Sequence, residues 1–425
     1  MDGPTILTAI SVFVALLGVA ALVAIVVRPL RLPYSVALVL VGLAAGVFVA
    51  VVRPGAVPVV APEIVLVVLL PGLVFEAAYR LDLGQLRRSF APLVFLAMPG
   101  VLISASVVAV ILHVATGLRL DLAFIVGAMV SATDPAAVVS TFRGLPVPRP
   151  LATIVEGESL LNDGTGLVVF GIAVAALSAP AAPASALMTF VATVALSGGV
   201  GLLAGFLAAR LMALVDDHLI ELTISVVLAY GTYLLADQLH QSGIIATVVA
   251  GIVLGNYGRA RSMSPAAIEA IDTVWEFLAY LLTALVFLLV GFAFPLAQLG
   301  GSLGWIVWGV VGILVGRAFV VYVVLGVAAR LVRSTVDGRP VPLGWFHVLF
   351  WAGLRGAVAV AMALALPIGV PERERLQEIT FGIVLFTVIV QGSTAATVVR
   401  RAVGGTADAV EREAGRPGPE AEPRA

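Results

Sequence analysis

The sequence predicts an all-α polytopic membrane protein: thirteen transmembrane helices in two inverted six-helix repeats, with helices five and twelve broken where they cross. Three observations predict it. The chain of 425 residues is 61% hydrophobic, its mean hydropathy is +1.13, and apolar stretches of about 20 residues recur between short loops. Period-two alternation is absent, which excludes a barrel and leaves helices as the way to pair every backbone group in lipid. The third observation is the run Glu158-Ser159-Leu160-Leu161-Asn162-Asp163-Gly164, set inside one of the apolar stretches. A charge at mid-bilayer costs roughly 3 kcal/mol and by default marks an ion or proton path.

The expected spans run in order as 5–27, 33–52, 61–79, 90–115, 120–142, 150–177, 185–209, 219–236, 242–257, 272–296, 303–329, 343–367 and 376–399. Span one follows Met1-Asp2-Gly3-Pro4 with no basic segment, so it is read as a retained helix and not a cleaved signal. Span two holds the small-residue face Val41-Gly42-Leu43-Ala44-Ala45-Gly46, and span nine holds Ala250-Gly251-Ile252-Val253-Leu254-Gly255; both suit close helix contact. Span three carries Glu76, five the run Ser131-Ala132-Thr133-Asp134-Pro135, six the acidic run, eleven Arg317, and twelve Gly353-Leu354-Arg355-Gly356. The remaining spans rest on apolar length. Spans two and nine lie seven apart, as do the interrupted spans five and twelve. An odd separation reverses direction across the membrane, the mark of an inverted repeat with span seven as linker.

Arginine placement tests the count. With the N-terminus outside, inner segments hold Arg28, Arg31, Arg80, Arg87, Arg88, Arg143, Arg149, Arg210, Arg259, Arg261, Arg330, Arg333, Arg339, Arg400 and Arg401, whereas outer loops hold Arg53, Arg119, Arg373 and Arg375. This bias places the C-terminus in the cytoplasm. Residues 402–425 read as a short disordered tail. The absence of cysteine excludes disulfides and thiolate metal sites. Four scattered histidines offer no zinc spacing, and a net charge of −1 argues against nucleic acid.

In span five, Pro135 has no N–H for the Ser131 carbonyl and its ring crowds the preceding turn. Carbonyls freed there need a partner, and a cation is one candidate. Asp134 would offset the positive start of the following half-helix. The plain alternative is a proline kink in which Thr133 and Asp134 re-satisfy the backbone. In span twelve, Arg355 offsets the carbonyl end of a half-helix and needs a carboxylate partner. Glu158 is expected to supply it, as a structural ion pair. In span six, Ser159 and Asp163 share a face four residues apart, Asn162 is neutral, and Asp163 is the expected cation- and proton-binding group. Glu156 reads as a funnel residue nearer the inner end. Glu76 reads equally as a ligand, a proton holder or an inner-end residue reaching for water. Arg317 is expected to tie a core carboxylate. Asp237 and His240 fall in an outer loop.

Phe75-Glu76-Ala77, Thr133-Asp134-Pro135, Glu158 to Asp163 and Gly353-Leu354-Arg355-Gly356-Ala357, in that order, resemble the monovalent cation/proton antiporters of the NhaP and sodium/proton exchanger branch. The likeness covers about residues 5–400. It implies a homodimer in the cell membrane. Interface helices would occupy about 5–79 and 219–296, core helices about 90–177 and 303–399, and a linker about 185–209. It also implies a cation held by Asp163, Ser159, Glu76 and the Thr133 carbonyl, with Asp134 close by through water and Asn162 beside it. No cofactor is implied, since Na+ and H+ are cargo. Asn162 in place of a second Asp resembles the electroneutral branch. The large cytosolic regulatory domain of animal exchangers is not expected after Arg401. Exchange of Na+ or Li+ for H+ by competition at Asp163 is the expectation. Potassium exchange is the alternative, a cation channel a lesser one, and an intramembrane aspartyl protease is disfavoured because Asp163 follows Leu-Leu-Asn instead of Gly-x-Gly.

Overall fold

A computed structural model describes residues 3–27, 33–52, 61–134, 142, 147–179, 182–294, 301–327, 335–336, 339–340 and 342–402. Its helices are α1 (Gly3–Val27), α2 (Tyr34–Val52), α3 (Leu70–Arg80, entered through a π-helical turn Ile64–Leu69), the short α4 (Leu83–Arg88) and α5 (Phe90–Thr116). Then follow α6 (Leu120–Met129), α7 (Arg149–Ser178), α8 (Pro183–Met212), α9 (His218–Gln238), α10 (Gly243–Arg261) and α11 (Pro265–Phe292). Helices α12 (Leu303–Leu325), α13 (Leu343–Trp351), α14 (Ala357–Leu364) and α15 (Arg373–Ala402) complete the bundle. Among the described residues nine helices are long and apolar enough to cross a membrane, and shorter apolar helices run over Ser11–Val27 and Leu120–Met129. The expected tail, from residue 403 on, lies outside the described residues.

The helix ends follow their local chemistry. Asp217 accepts hydrogen bonds from Leu219 N and Ile220 N to start α9, and Ser242 and Ser264 do the same for α10 and α11. Gly117, at φ 76°, closes α5, the left-handed position that glycine tolerates. A two-residue hairpin, Thr335–Val336 with Arg339–Pro340, lies between α12 and α13.

Packing divides into two sets. In one, α2 lies on α11, α10 on α3, and α8 and α9 on α10; in the other, α5 packs on α6 and α12, α6 on α7, and α15 on α12, α14 and α6. The two small-residue faces make close approaches. A Cβ on Gly46 would stand 2.8 Å from the Phe292 carbonyl, and one on Gly251 3.0 Å from the Phe75 carbonyl. The pairing is reciprocal: span two meets span ten, and span nine meets span three, each contact carried into the other by a shift of seven spans. Where the sets meet, α7 touches α10 and α3, and α2 touches the π-helical turn Thr387–Gly392 of α15.

Candidate cation site

The two interruptions face each other. Helix α6 stops at Met129, six residues before Pro135, which itself lies outside the described residues. The helix therefore ends sooner than the proline alone requires, and the cause is what its backbone meets. Backbone groups that leave a helix in lipid need other partners, and α7 provides them. Thr133 N–H donates to Asn162 Oδ1 at 3.1 Å, while Asn162 Nδ2 donates to Thr133 Oγ1 at 2.7 Å. The Ser159 hydroxyl donates to the Thr133 carbonyl. Both ends of the Asn162 amide are thus engaged in holding the break. The next backbone N–H, that of Asp134, donates to the Leu354 carbonyl at 2.8 Å, so the first interruption is tied to the second.

Helix α13 ends at Trp351, residues 353–356 are non-helical, and α14 restarts at Ala357. The two glycines beside Arg355 are there to admit neighbours. A Cβ on Gly356 would collide with the Asp134 carboxylate, and one on Gly353 would sit 2.9 Å from Arg317 Nε. The Arg355 N–H donates to Thr387 Oγ1 at 3.0 Å.

The structure corrects the expected ion pair. Glu158 takes a two-pronged pair from Arg317 on α12, with Nη1 on Oε1 and Nη2 on Oε2, the latter at 2.9 Å. Arg317 also donates to the Leu349 carbonyl, through Nε at 3.1 Å and Nη2 at 2.6 Å. It therefore covers the carbonyl end of α13, the task assigned above to Arg355. The physical reason is reach. Gly353 lets the Arg317 side chain cross the interruption, whereas Arg355 lies within the unwound segment and is 1% exposed. Its Nε and Nη1 have no hydrogen-bond partner among the described residues. Arg355 and the Glu158–Arg317 pair nonetheless share one cavity of about 10 Å³, with Ser104, Ser131 and Asn162 as the other polar lining.

Asp163 lies one turn beyond Ser159 and is partly buried. The charges that act on it are those of Asp134 and Arg355. Asp134 and Arg355 also border a narrow cleft with Ser35, Phe287 and Val388. Glu76 is placed otherwise: Arg80, one turn on, forms an ion pair with it and also reaches Glu276 at 3.3 Å. The bonds that join Ser159, Asn162 and Thr133 do not involve Glu76. No cluster of three or more His, Asp or Glu side chains suited to a metal occurs among the described residues. A cation here would draw on hydroxyl and carbonyl oxygens beside a single carboxylate, a set suited to a hard monovalent ion.

Two features were not read from the sequence. An intramembrane Arg signals a hidden carboxylate, but nothing in the order of residues said which one Arg317 would find. Thr387 gave no signal, being one hydroxyl in an apolar run.

The profile of the family described as "Sodium/hydrogen exchanger, transmembrane" matches residues 15–401. The low-affinity Na+/H+ antiporter NhaS1 of Synechocystis is 36% identical over 373 residues, covering 87% of this chain and 69% of that protein. The Na+/H+ antiporter NhaP of Pseudomonas aeruginosa is 35% identical over 353 residues, 81% of this chain and 82% of the relative. The structure of the sodium proton antiporter MjNhaP1 from Methanocaldococcus jannaschii superposes with a TM-score of 0.74 at 20% identity, over 94% of this chain and 99% of that one.

Proposed function

The chain belongs to the sodium/hydrogen exchanger family, and from that premise we propose that it exchanges Na+ for H+ across the membrane by competition at Asp163. The relatives are sodium antiporters, so potassium as the main cation is not favoured. One observation carries the site: Ser159 on α7 bonds the carbonyl that the first break frees at Thr133, one turn from the Asp163 carboxylate. Ser159 Oγ and the Thr133 carbonyl supply two hard oxygens and Asp163 the charge. Binding sodium there requires the Ser159 hydroxyl to turn its hydrogen away from the carbonyl, so that both oxygens face the ion. Asn162 positions the break. Asp134 lies near enough to act on the same ion electrostatically. Glu76 becomes a ligand only in a state in which it leaves Arg80.

Sodium and a proton cannot both neutralise one carboxylate, so each displaces the other. A charged carboxylate crossing the apolar barrier would cost several kcal/mol, so the loaded core moves and the unloaded one does not. Spans one to three and eight to ten form the interface of a homodimer. Spans four to six and eleven to thirteen form the moving core, with the N-terminus outside and the C-terminus in the cytoplasm. The reciprocal helix contacts and the two facing breaks support the inverted-repeat reading.

The test is reconstitution into liposomes with an internal pH dye, adding sodium, lithium and potassium in turn, with and without a voltage clamp. Asp163→Asn should abolish exchange while the protein still inserts and folds; normal exchange by that variant would overturn the assignment.

A further inference from the structure

The second break is held in the same manner as the first. At the first, a hydroxyl of the following membrane helix, Ser159, bonds the freed Thr133 backbone. At the second, a hydroxyl of the following membrane helix, Thr387, accepts from Arg355 N–H at 3.0 Å and lies 3.3 Å from the Arg355 carbonyl, one of two acceptors within reach of its single hydrogen. Thr387 has a further outlet at Val384 O, 3.0 Å away, and is fully buried. The correspondence runs one residue pair further. Asp163 stands four residues after Ser159, and Gln391 stands four residues after Thr387. Gln391 is 2% exposed, and its Oε1 has no hydrogen-bond partner among the described residues. Thr387 opens the π-helical turn Thr387–Gly392, and such turns occur frequently at functional sites.

We propose that Thr387 is a positioning residue for exchange: with Gln391 it forms the neutral, repeat-related counterpart of Ser159 and Asp163, setting the Arg355 peptide and binding no cation. The chemistry follows from what is missing and what is near. An amide at position 391 offers no negative charge, and the Arg355 guanidinium repels a second cation, so this half of the crossing takes none. Its contribution is to fix where the Arg355 charge sits relative to Asp163. The Arg355 N–H and carbonyl belong to the two peptide units that flank its Cα, and the Thr387 hydroxyl contacts both, so neither unit turns without losing a contact. The guanidinium carried by that Cα is therefore held toward the first break. The inference rests on the reading of Asp163 as the exchange site.

The experiment compares Thr387→Val and Thr387→Ser in the full chain, reconstituted as above, recording the maximal rate and the half-saturating sodium at fixed pH. Valine keeps the shape and removes the hydroxyl. The maximal rate should fall about tenfold, the scale set by one buried backbone group left unpaired, and half-saturating sodium should shift because the Arg355 charge that acts on Asp163 is displaced. Serine should retain most of the rate and the wild-type sodium affinity. A purely structural role would lower thermal stability in both variants without moving sodium affinity. Full rate in Thr387→Val, an unchanged half-saturating sodium, or failure of serine to restore both would each overturn the proposal. If the valine variant fails to insert, Thr387→Ala is read against Thr387→Ser by the same criteria. The Asp163 reading fails separately, through exchange by Asp163→Asn.

Discussion

Removing one member of the Glu158–Arg317 pair should cost more than removing both. The two side chains are 3% and 8% exposed, so either one alone is a buried charge without its partner, a loss of about 3–5 kcal/mol. Glu158→Gln keeps the shape and leaves Arg317 with a neutral acceptor. Arg317→Met strands the Glu158 carboxylate and also strips the Leu349 carbonyl of its donors, which adds about 1–3 kcal/mol for an unpaired buried acceptor. In the double variant no charge is left uncompensated, and the remaining cost is that of Leu349 alone, about 1–3 kcal/mol. The two single losses therefore exceed the double loss, giving a strong coupling energy in a double-mutant cycle. The assay is the free energy of unfolding in mixed micelles as the denaturing detergent fraction is raised, for wild type, both singles and the double. A parallel cycle pairs Glu158→Gln with Arg355→Met, where the structure shows a shared cavity but no ion pair, and its coupling should be the smaller of the two. A larger coupling to Arg355 would refute the assignment of Glu158 to Arg317.

Gly356→Ala should separate the two breaks, because the added methyl collides with the Asp134 carboxylate. Overpacking of this kind costs about 1–3 kcal/mol, and exchange should fall with it; unfolding free energy and liposome flux check both. Competition at one carboxylate predicts that half-saturating sodium rises as pH falls, by about tenfold per pH unit in the acid limit, because one proton displaces one ion. Flux measured at a series of pH values on the entry side tests this, and a value independent of pH would rule out shared occupancy. One-for-one exchange also predicts no net work from the membrane potential, which is worth about 2.3 kcal/mol per charge per 100 mV; a sodium-driven current in a voltage-clamped bilayer would contradict it.

The legible parts of the fold were those in which each local feature has one physical reading. Apolar length marked the membrane helices, and glycines four apart marked the faces where α2 meets α11 and α10 meets α3. Both interruptions were visible because Pro135 removes a helix hydrogen bond and the Gly353–Gly356 pair permits unwinding. The partner of Glu158 was not legible. Sequence places Arg355 and Arg317 alike inside apolar spans, and only the path of α12 past Gly353 decides between them. The exact end of the helix before the first break was not legible, for a similar reason. Proline predicts where a ladder loses one bond, but the helix ends where Asn162, Ser159 and Leu354 offer better partners. Three-dimensional competition for backbone groups leaves no periodicity to read.

The charges at the crossing carry the stoichiometric argument further than any single residue. In fully ionised form Glu158 and Arg317 cancel within one contact. Arg355, Asp134 and Asp163 sum to −1, and the first two act on the third. One sodium ion or one proton brings that sum to zero. Neither leaves it at −1, and both together would take it to +1, so the two charged states meet a barrier of several kcal/mol in an apolar path. Only the singly loaded core is neutral, whichever cation loads it. A second carboxylate at position 162 would set the sum at −2 and require two cations for the same neutrality. The amide that occupies that position instead spends both its ends on Thr133. Under the proposed mechanism, the residue that builds the break would also be the one that keeps the exchange at one for one.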